Sequence, residues 1–368
     1  MAHLDREKSI QVYPLLLALL SAALFGAATP FGKTLLRSLS PYQLAGLLYL
    51  GASLGVLPLI IASKRFRNPL RVDRRSRVLL GSATVFGGIL APVLLLFGLR
   101  LASAASVSLW LPLELVATAV LGHLLFREHL GSFAIIGLVG VVGAGVLLGI
   151  GEGMSGLSAG ILVGSACICW GLDNNCTATI DGLTPAEITF WKGLVAGVTN
   201  LVLGVAIAPW TNSVGAIGLA LGVGALCYGI SIVLYITAAQ SIGATRGQMF
   251  FATAPFFGVV LSALILGESP TVLQLVAAAV LVVSLFFVFR DQHSHWHQHD
   301  SLTHEHSHRH DDGHHNHVHP GQSASLRHSH VHTHERMSHA HTHWPDLHHR
   351  HRHGVESNPA SPDDDTSE

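Results

Sequence analysis

Apolar runs of about twenty residues recur along the first 290 positions, separated by short polar connections. A helix rises 1.5 Å per residue, so about 20 mostly apolar residues cross a bilayer core. The runs place spanning helices near 13–32, 42–62, 78–98, 102–125 and 132–150. A second set falls near 157–177, 186–208, 215–238, 243–266 and 271–289. The connections are too short to hold an extramembrane domain. Basic residues precede Leu15–Leu24, but the apolar run continues into Phe25-Gly26-Ala27-Ala28-Thr29-Pro30 with no small-residue cleavage site. The first run therefore reads as a membrane helix and not as a removable signal. After Arg290 the pattern stops, and residues 291–368 carry no periodicity from which a core could be built.

The two sets of five resemble each other. Leu39-Ser40-Pro41-Tyr42-Gln43 recurs 144 residues later as Leu183-Thr184-Pro185-Ala186-Glu187. Leu124–Leu130 has its counterpart 140 residues later in Leu264–Ser269, and Phe25-Gly26 in the first span matches Trp170-Gly171 in the sixth. Five is odd, so the second copy must cross the bilayer in the opposite sense. Inverted repeats of this kind build alternating-access carriers, with the site near the midplane between the halves. The predicted fold class is an all-α membrane protein of ten transmembrane helices in two inverted five-helix repeats, with a disordered tail. Its parts are 1–150, 151–290 and a histidine-rich tail at 291–368.

Each half has an apolar span closed by a Glu and followed by another apolar span. In the first half this runs from Leu113-Glu114-Leu115 through Phe126-Arg127-Glu128-His129-Leu130. In the second it runs from Pro255-Phe256-Phe257 through Leu266-Gly267-Glu268-Ser269. Over residues 12–290 the chain resembles the EamA branch of the drug/metabolite transporter superfamily. The resemblance implies a small-solute carrier, often an exporter, in the bacterial inner membrane, working without ATP hydrolysis. It implies no substrate. The tail lies outside the family pattern, and Leu115 stands where the second half has Pro255.

Composition agrees with a membrane body. The chain is 49% hydrophobic and 12% charged, with a mean hydropathy of +0.47, against about 25% charge in soluble domains. A soluble enzyme, a disulfide scaffold and a wholly disordered protein are excluded. No GxxxxGK[ST] loop and no HExxH motif occurs, so neither ATP-driven transport nor zincin chemistry is expected, and the chain is not read as an enzyme. The four cysteines (Cys167, Cys169, Cys176, Cys227) fall in apolar stretches and read as small buried hydrophobes.

Residues 1–290 carry +6 (16 Lys and Arg against 10 Asp and Glu), and the tail carries −7 (5 against 12). The basic residues concentrate in Lys64–Arg77, with Arg6, Lys8, Arg127 and Arg246 on the same side. By the positive-inside rule both termini are cytoplasmic.

Ionisable residues inside spans are costly and mark a site or a packing contact within the bundle. Glu114 sits mid-span after Pro112, which removes a helix hydrogen bond and is expected to kink the helix and free the Ser108 carbonyl. Trp110 falls one turn earlier, on the same face of an unbroken helix. Trp170, Asp173, Asn174 and Thr177 follow the spacing i, i+3, i+4, i+7, which is one helical face. Such a face orients a small polar solute, or it hydrogen-bonds neighbouring helices. Lys192 either neutralises Asp173 or Glu114 or snorkels to the interface, and snorkelling is the favoured expectation. Gln248, Tyr228 and Tyr235 are further pore-lining candidates of lesser weight. The substrate-binding set is thus Trp110, Glu114, Trp170, Asp173, Asn174, Thr177, Lys192 and Gln248. Glu128 and Glu268 end their spans before turns and are expected to cap the following helices. Small-xxx-small pairs, among them Gly193/Gly197 and Gly218/Gly222, are expected to pack helices closely.

Of 26 histidines, 23 lie between His293 and His353. The recurring unit is His-x-His, which places alternate imidazoles on one side of an extended chain. Its first stretch holds His293, His295, His297 and His299, then His304, His306, His308 and His310. His314, His315, His317 and His319 follow, and after Pro320 come His328, His330, His332 and His334. The last are His339, His341 and His343, then His348, His349, His351 and His353. Imidazoles at this spacing suit zinc, nickel, cobalt or copper, with nearby carboxylates such as Asp311 and Asp312 completing the shell. A pH sensor or a solubilising end is the alternative.

The sequence therefore supports a secondary transporter, either moving divalent metal or regulated by it. An exporter of an organic metabolite, such as an amino acid or a drug-like amine, is the second reading. A membrane-anchored metal chelator or sensor is the third. No cofactor is required, and a divalent transition metal (zinc, nickel, cobalt or copper) is a candidate ligand of the tail. The expected partners are the lipid bilayer and a small-molecule or metal-ion substrate, with no nucleic acid, and glycine-rich faces are compatible with a homodimer.

Overall fold

A computed structural model describes residues 2–63, 66–126, 130–210, 213–242 and 244–290, together with four tail segments, 293–299, 302–308, 328–334 and 337–343. Side chains are described from Tyr13 onward within the first of these stretches and not in the tail. The helical body and most of the tail form two units.

The body is helical. Among the described residues, ten helices are long and apolar enough to cross a bilayer. They are α1 (Tyr13–Leu35), α2 (Pro41–Ser63), α3 (Arg74–Leu101), α4 (Ala104–Leu125) and α5 (Ser132–Gly151). The second half supplies α6 (Gly153–Ala178), α7 (Pro185–Ile207), α8 (Val214–Gln240), α9 (Gly247–Leu266) and α10 (Val272–Arg290). The apolar runs locate every span to within a few residues. The starts follow from capping chemistry. Thr184 and Glu187 form a reciprocal capping box, and Ser40 with Gln43 forms the same box one repeat earlier.

The helix neighbours obey an inverted repeat. α3 and α4 pack on α6, just as α8 and α9 pack on α1, while α2 pairs with α7 and α5 with α10. The α2–α7 seam shows the two-fold character in its side chains. Gln43 at the start of α2 donates to the carbonyls of Gly204, Ala208 and Pro209 at the end of α7. Glu187 at the start of α7 accepts from Arg67 N–H, just beyond the end of α2. Gly193 and Gly197 let this seam close. A Cβ on Gly197 would sit 2.7 Å from Leu50 N, and one on Gly193 2.8 Å from the Tyr49 carbonyl. Gly218 and Gly222, expected to pack in the same way, have nothing within 4 Å and are not packing contacts among the described residues.

Two irregularities recur 140 residues apart. α3 contains a π-helical turn at Thr84–Leu90, and α8 one at Gly224–Ile230. α4 is broken between Ala104–Trp110 and Leu113–Phe126, and α9 between Ala244–Phe251 and Ala254–Leu266. In both broken spans a proline starts the second piece or lies at the break, Pro112 and Pro255. Leu111 N–H bonds the Ser108 carbonyl at 3.2 Å, so that carbonyl is not left free as expected. The break is absorbed by a tighter turn.

In the tail, the described backbone forms strands β1 (His293–His299), β2 (Leu302–His308), β3 (His328–His334) and β4 (Met337–His343). β2 and β3 run antiparallel, with His304 opposite His332, His306 opposite His330 and His308 opposite His328. The expectation of a disordered tail otherwise falls outside the described residues.

Candidate functional site

The π turn in α3 makes the first wall of a cavity. Ala91 N–H bonds Phe86 O, five residues back, and Pro92 has no N–H to give. The Gly87 carbonyl instead accepts from Tyr49 Oη at 2.5 Å and Trp170 Nε1 at 3.1 Å. The next carbonyls, Gly88 and Ile89, accept from Asn200 Nδ2 at 3.2 and 3.4 Å. A side-chain-free Gly87 also lets Asp173 approach, since a Cβ there would meet Asp173 Oδ2 at 2.0 Å.

Around this wall lies a small, partly open cavity. Six aromatic side chains line it: Phe25, Tyr49, Trp170, Tyr228, Tyr235 and Phe251. They pack on one another, with Phe25 at 5.9 Å from Trp170, 5.6 Å from Tyr228 and 5.0 Å from Phe251, ring centre to ring centre. The polar lining comes from three helices: Glu114 on α4, Asp173, Asn174 and Thr177 on α6, and Lys192 on α7.

Two polar groupings divide these residues. Lys192 Nζ lies 3.0 and 2.8 Å from the two Asp173 carboxylate oxygens, and Thr177 Oγ1 donates to Asp173 Oδ1 at 2.8 Å. The paired side chains are 4% and 6% exposed, so Lys192 does not snorkel. It is an intramembrane partner of Asp173, because two contacts to a buried carboxylate outweigh a reach to the interface. Asn174 Nδ2 reaches Glu114 Oε1 at 2.7 Å, Thr118 Oγ1 at 3.1 Å and Gln248 Oε1 at 3.4 Å. Gln248 itself lies in a smaller adjoining pocket with Glu114 and Phe25.

Seven of the eight residues proposed from sequence therefore meet around these two pockets. Trp110 does not. Its indole donates to the Gly145 carbonyl at 3.0 Å, facing α5 and away from the cavity. The break after Trp110 rotates the second piece of α4, so the continuous-helix spacing to Glu114 no longer applies. Phe25, Tyr49, Ile232, Ile236 and Phe251 are the cavity residues that sequence reasoning missed. The one signal in the sequence is Gly87-Gly88 followed by Pro92, which marks an irregular turn where Tyr49 docks and says nothing of Phe25 or Phe251.

One end of the bundle is laced shut between the halves. The Glu268 carboxylate accepts from Ala104 N–H at 3.1 Å and Ala105 N–H at 3.0 Å. It thus caps the start of α4, not the following helix as expected, which Thr271 and Gln274 cap themselves. Gln274 Nε2 also donates to Ser103 Oγ and Ser106 Oγ, and Ser106 Oγ donates to Glu152. Lys33 Nζ donates to the carbonyls of Leu99 and Ala102, each at 2.7 Å, at the end of α3. Glu128, the counterpart of Glu268, lies outside the described residues. The cavity reaches toward the opposite end, since Thr177 stands one residue from the end of α6 and Lys192 seven from the start of α7.

The EamA-like transporter family model matches residues 12–150 and again 157–290, one copy for each half. The chain belongs to the EamA-like transporter family. This EamA-like protein is also 24% identical over 285 residues to an uncharacterized transporter of Methanothermobacter thermautotrophicus. That alignment covers 72% of this chain and 82% of the relative. A solved crystal structure of a protein shares the fold with a TM-score of 0.57 at 19% identity, over 74% of this chain and 96% of that one. Family, relative and ten spanning helices together make this a multi-pass membrane transporter of small solutes.

Proposed function

We propose that this EamA-like protein is a secondary exporter of a small organic solute, working by alternating access in the bacterial inner membrane with both termini cytoplasmic. The observation that carries this reading is the cavity itself. It lies where the two halves meet, beside a pair of broken helices at equivalent repeat positions, which is where inverted-repeat carriers bind. With cytoplasmic termini, the laced end faces outward and the cavity lies in the cytoplasmic half, the arrangement of a carrier ready to load from inside.

An organic solute fits this lining better than a bare metal ion. Zinc, nickel and copper take imidazole or thiolate, and magnesium or calcium takes several oxygens. Among the described residues no group of three or more His, Cys, Asp or Glu is placed to hold a metal ion. The test is flux from proteoliposomes loaded with a panel of radiolabelled organic solutes and with zinc, nickel or cobalt. Glu114→Ala with Asp173→Ala abolishes flux of whichever solute the native protein carries. Unchanged flux in that double variant rejects the site.

Metal as cargo remains a second reading because of the tail, where the β2–β3 register sets His304, His306 and His308 opposite His332, His330 and His328. The tail is proposed to bind divalent transition metal and to report its level to the carrier. Deleting 291–368 removes zinc binding measured by isothermal titration and leaves organic flux in metal-free buffer intact. Loss of zinc transport together with retention of every organic flux would make metal the cargo of the tail-bearing protein.

A further inference from the structure

Resting on the organic-solute reading, the cavity also specifies the charge of its guest. We infer that the cavity selects a monovalent organic cation with an apolar or aromatic body, such as an amine or a quaternary ammonium, held by Glu114 within the aromatic cage.

The inference starts from charge. Two carboxylates and one ammonium line the cavity, Glu114, Asp173 and Lys192. Lys192 and Asp173 neutralise each other through contacts of 3.0 and 2.8 Å. Among the described residues no lysine, arginine or histidine ion-pairs with Glu114, whose hydrogen-bond partners are the neutral amides of Asn174, at 2.7 Å, and Gln248. One formal negative charge therefore faces the guest. A carboxylate inside a membrane protein is stabilised by a cation or neutralised by a proton. A positively charged guest meets that requirement.

The walls support the same sign. Aromatic faces are electron-rich and attract cations, most strongly where water is excluded. The polar atoms of Tyr49 and Trp170 are already engaged by the Gly87 carbonyl, so these two residues offer the guest mainly ring. Phe25 and Phe251 add purely hydrocarbon rings. An anion or a zwitterion fares worse, because its carboxylate needs a cationic partner and Lys192 is held by Asp173. A hydrated inorganic ion also fares worse, because aromatic walls do not replace its water.

Three probes of one ring size separate these possibilities: benzyltrimethylammonium, neutral benzyl alcohol and anionic phenylacetate. Each is measured for binding to the purified full-length protein by equilibrium dialysis and for uptake into proteoliposomes. Benzyltrimethylammonium is expected to bind at least tenfold tighter than the other two. Glu114→Gln, which keeps the shape and the contact with Asn174, is expected to weaken the cation at least tenfold and to move benzyl alcohol by less than twofold. Unchanged benzyl alcohol binding also reports that the variant is folded. Equal affinity for all three probes, tighter binding of phenylacetate, or an unaffected cation in Glu114→Gln overturns the inference while leaving an organic-solute carrier standing. Failure of all three to bind or cross, with zinc transported instead, overturns the organic-solute reading as well.

Discussion

Replacing Lys192 with methionine is expected to destabilise the protein by about 3–5 kcal/mol, the cost of stripping one partner from a buried ion pair. Methionine preserves the length of the side chain, so packing changes little. What changes is the charge left behind. Asp173 is 4% exposed as a residue and retains only the Thr177 hydroxyl at 2.8 Å among its described side-chain partners. A single hydroxyl does not replace an ammonium held at both oxygens. The double variant Lys192→Met with Asp173→Asn removes both charges together, and its stability should return to near the native level, because neutral pairs of similar volume often match buried ion pairs. Thermal unfolding in detergent, followed by fluorescence-detected size exclusion, gives the ranking native, double variant, single variant. A single variant as stable as the native protein would refute the energetic role of the pair. The double variant also retains Glu114 as the one charge in the cavity, so it should still prefer a cation.

The spans and their pairing were legible because bilayer thickness demands a fixed run of apolar residues, and the repeated Ser/Thr-Pro-x-Gln/Glu starts announce capping boxes. Glu114, Asp173, Asn174 and Thr177 were legible for the complementary reason: polar groups so deep in apolar spans are costly unless they face the bundle interior. One error comes from assuming an unbroken α-helix, and the others from contacts between helices far apart in sequence. Trp110 was placed beside Glu114 by a 3.6-residue spacing that the break after it cancels. For Lys192 the pair with Asp173 was one of the alternatives, and local spacing could not choose it over snorkelling because the partner lies 19 residues away on another helix. Glu268 reaches 163 and 164 residues back to Ala105 and Ala104, which only the folded pseudo-symmetry brings close. The aromatic cage was illegible for the same reason. Phe25 and Phe251 are ordinary apolar residues in sequence, and they become a site when α1, α6, α8 and α9 converge.

The second large effect is expected at Gly87, where alanine should reduce transport at least tenfold and lower stability by about 1–3 kcal/mol, the usual range for overpacking. The added methyl would lie 2.0 Å from Asp173 Oδ2 and 2.3 Å from its Cγ. No rotamer of alanine relieves that overlap, because its Cβ is fixed by the backbone. Either Asp173 leaves Lys192, or the π turn shifts and carries the Gly87 carbonyl away from Tyr49 and Trp170. Both outcomes alter the charged wall and the aromatic wall of the cavity together. Gly81→Ala, six residues earlier on the same span, is the matched control, since a Cβ there meets nothing within 4 Å. Within a helix that exchange is neutral or stabilising by up to about 1 kcal/mol. Radiolabelled uptake and detergent melting, measured on both variants, separate the consequences. If Gly87→Ala behaves like Gly81→Ala, the close approach of Asp173 to the π turn does not shape the site. If only Gly87→Ala loses transport, the bare backbone at this turn is what allows a buried ion pair and two indole and phenol donors to meet at one point in the membrane.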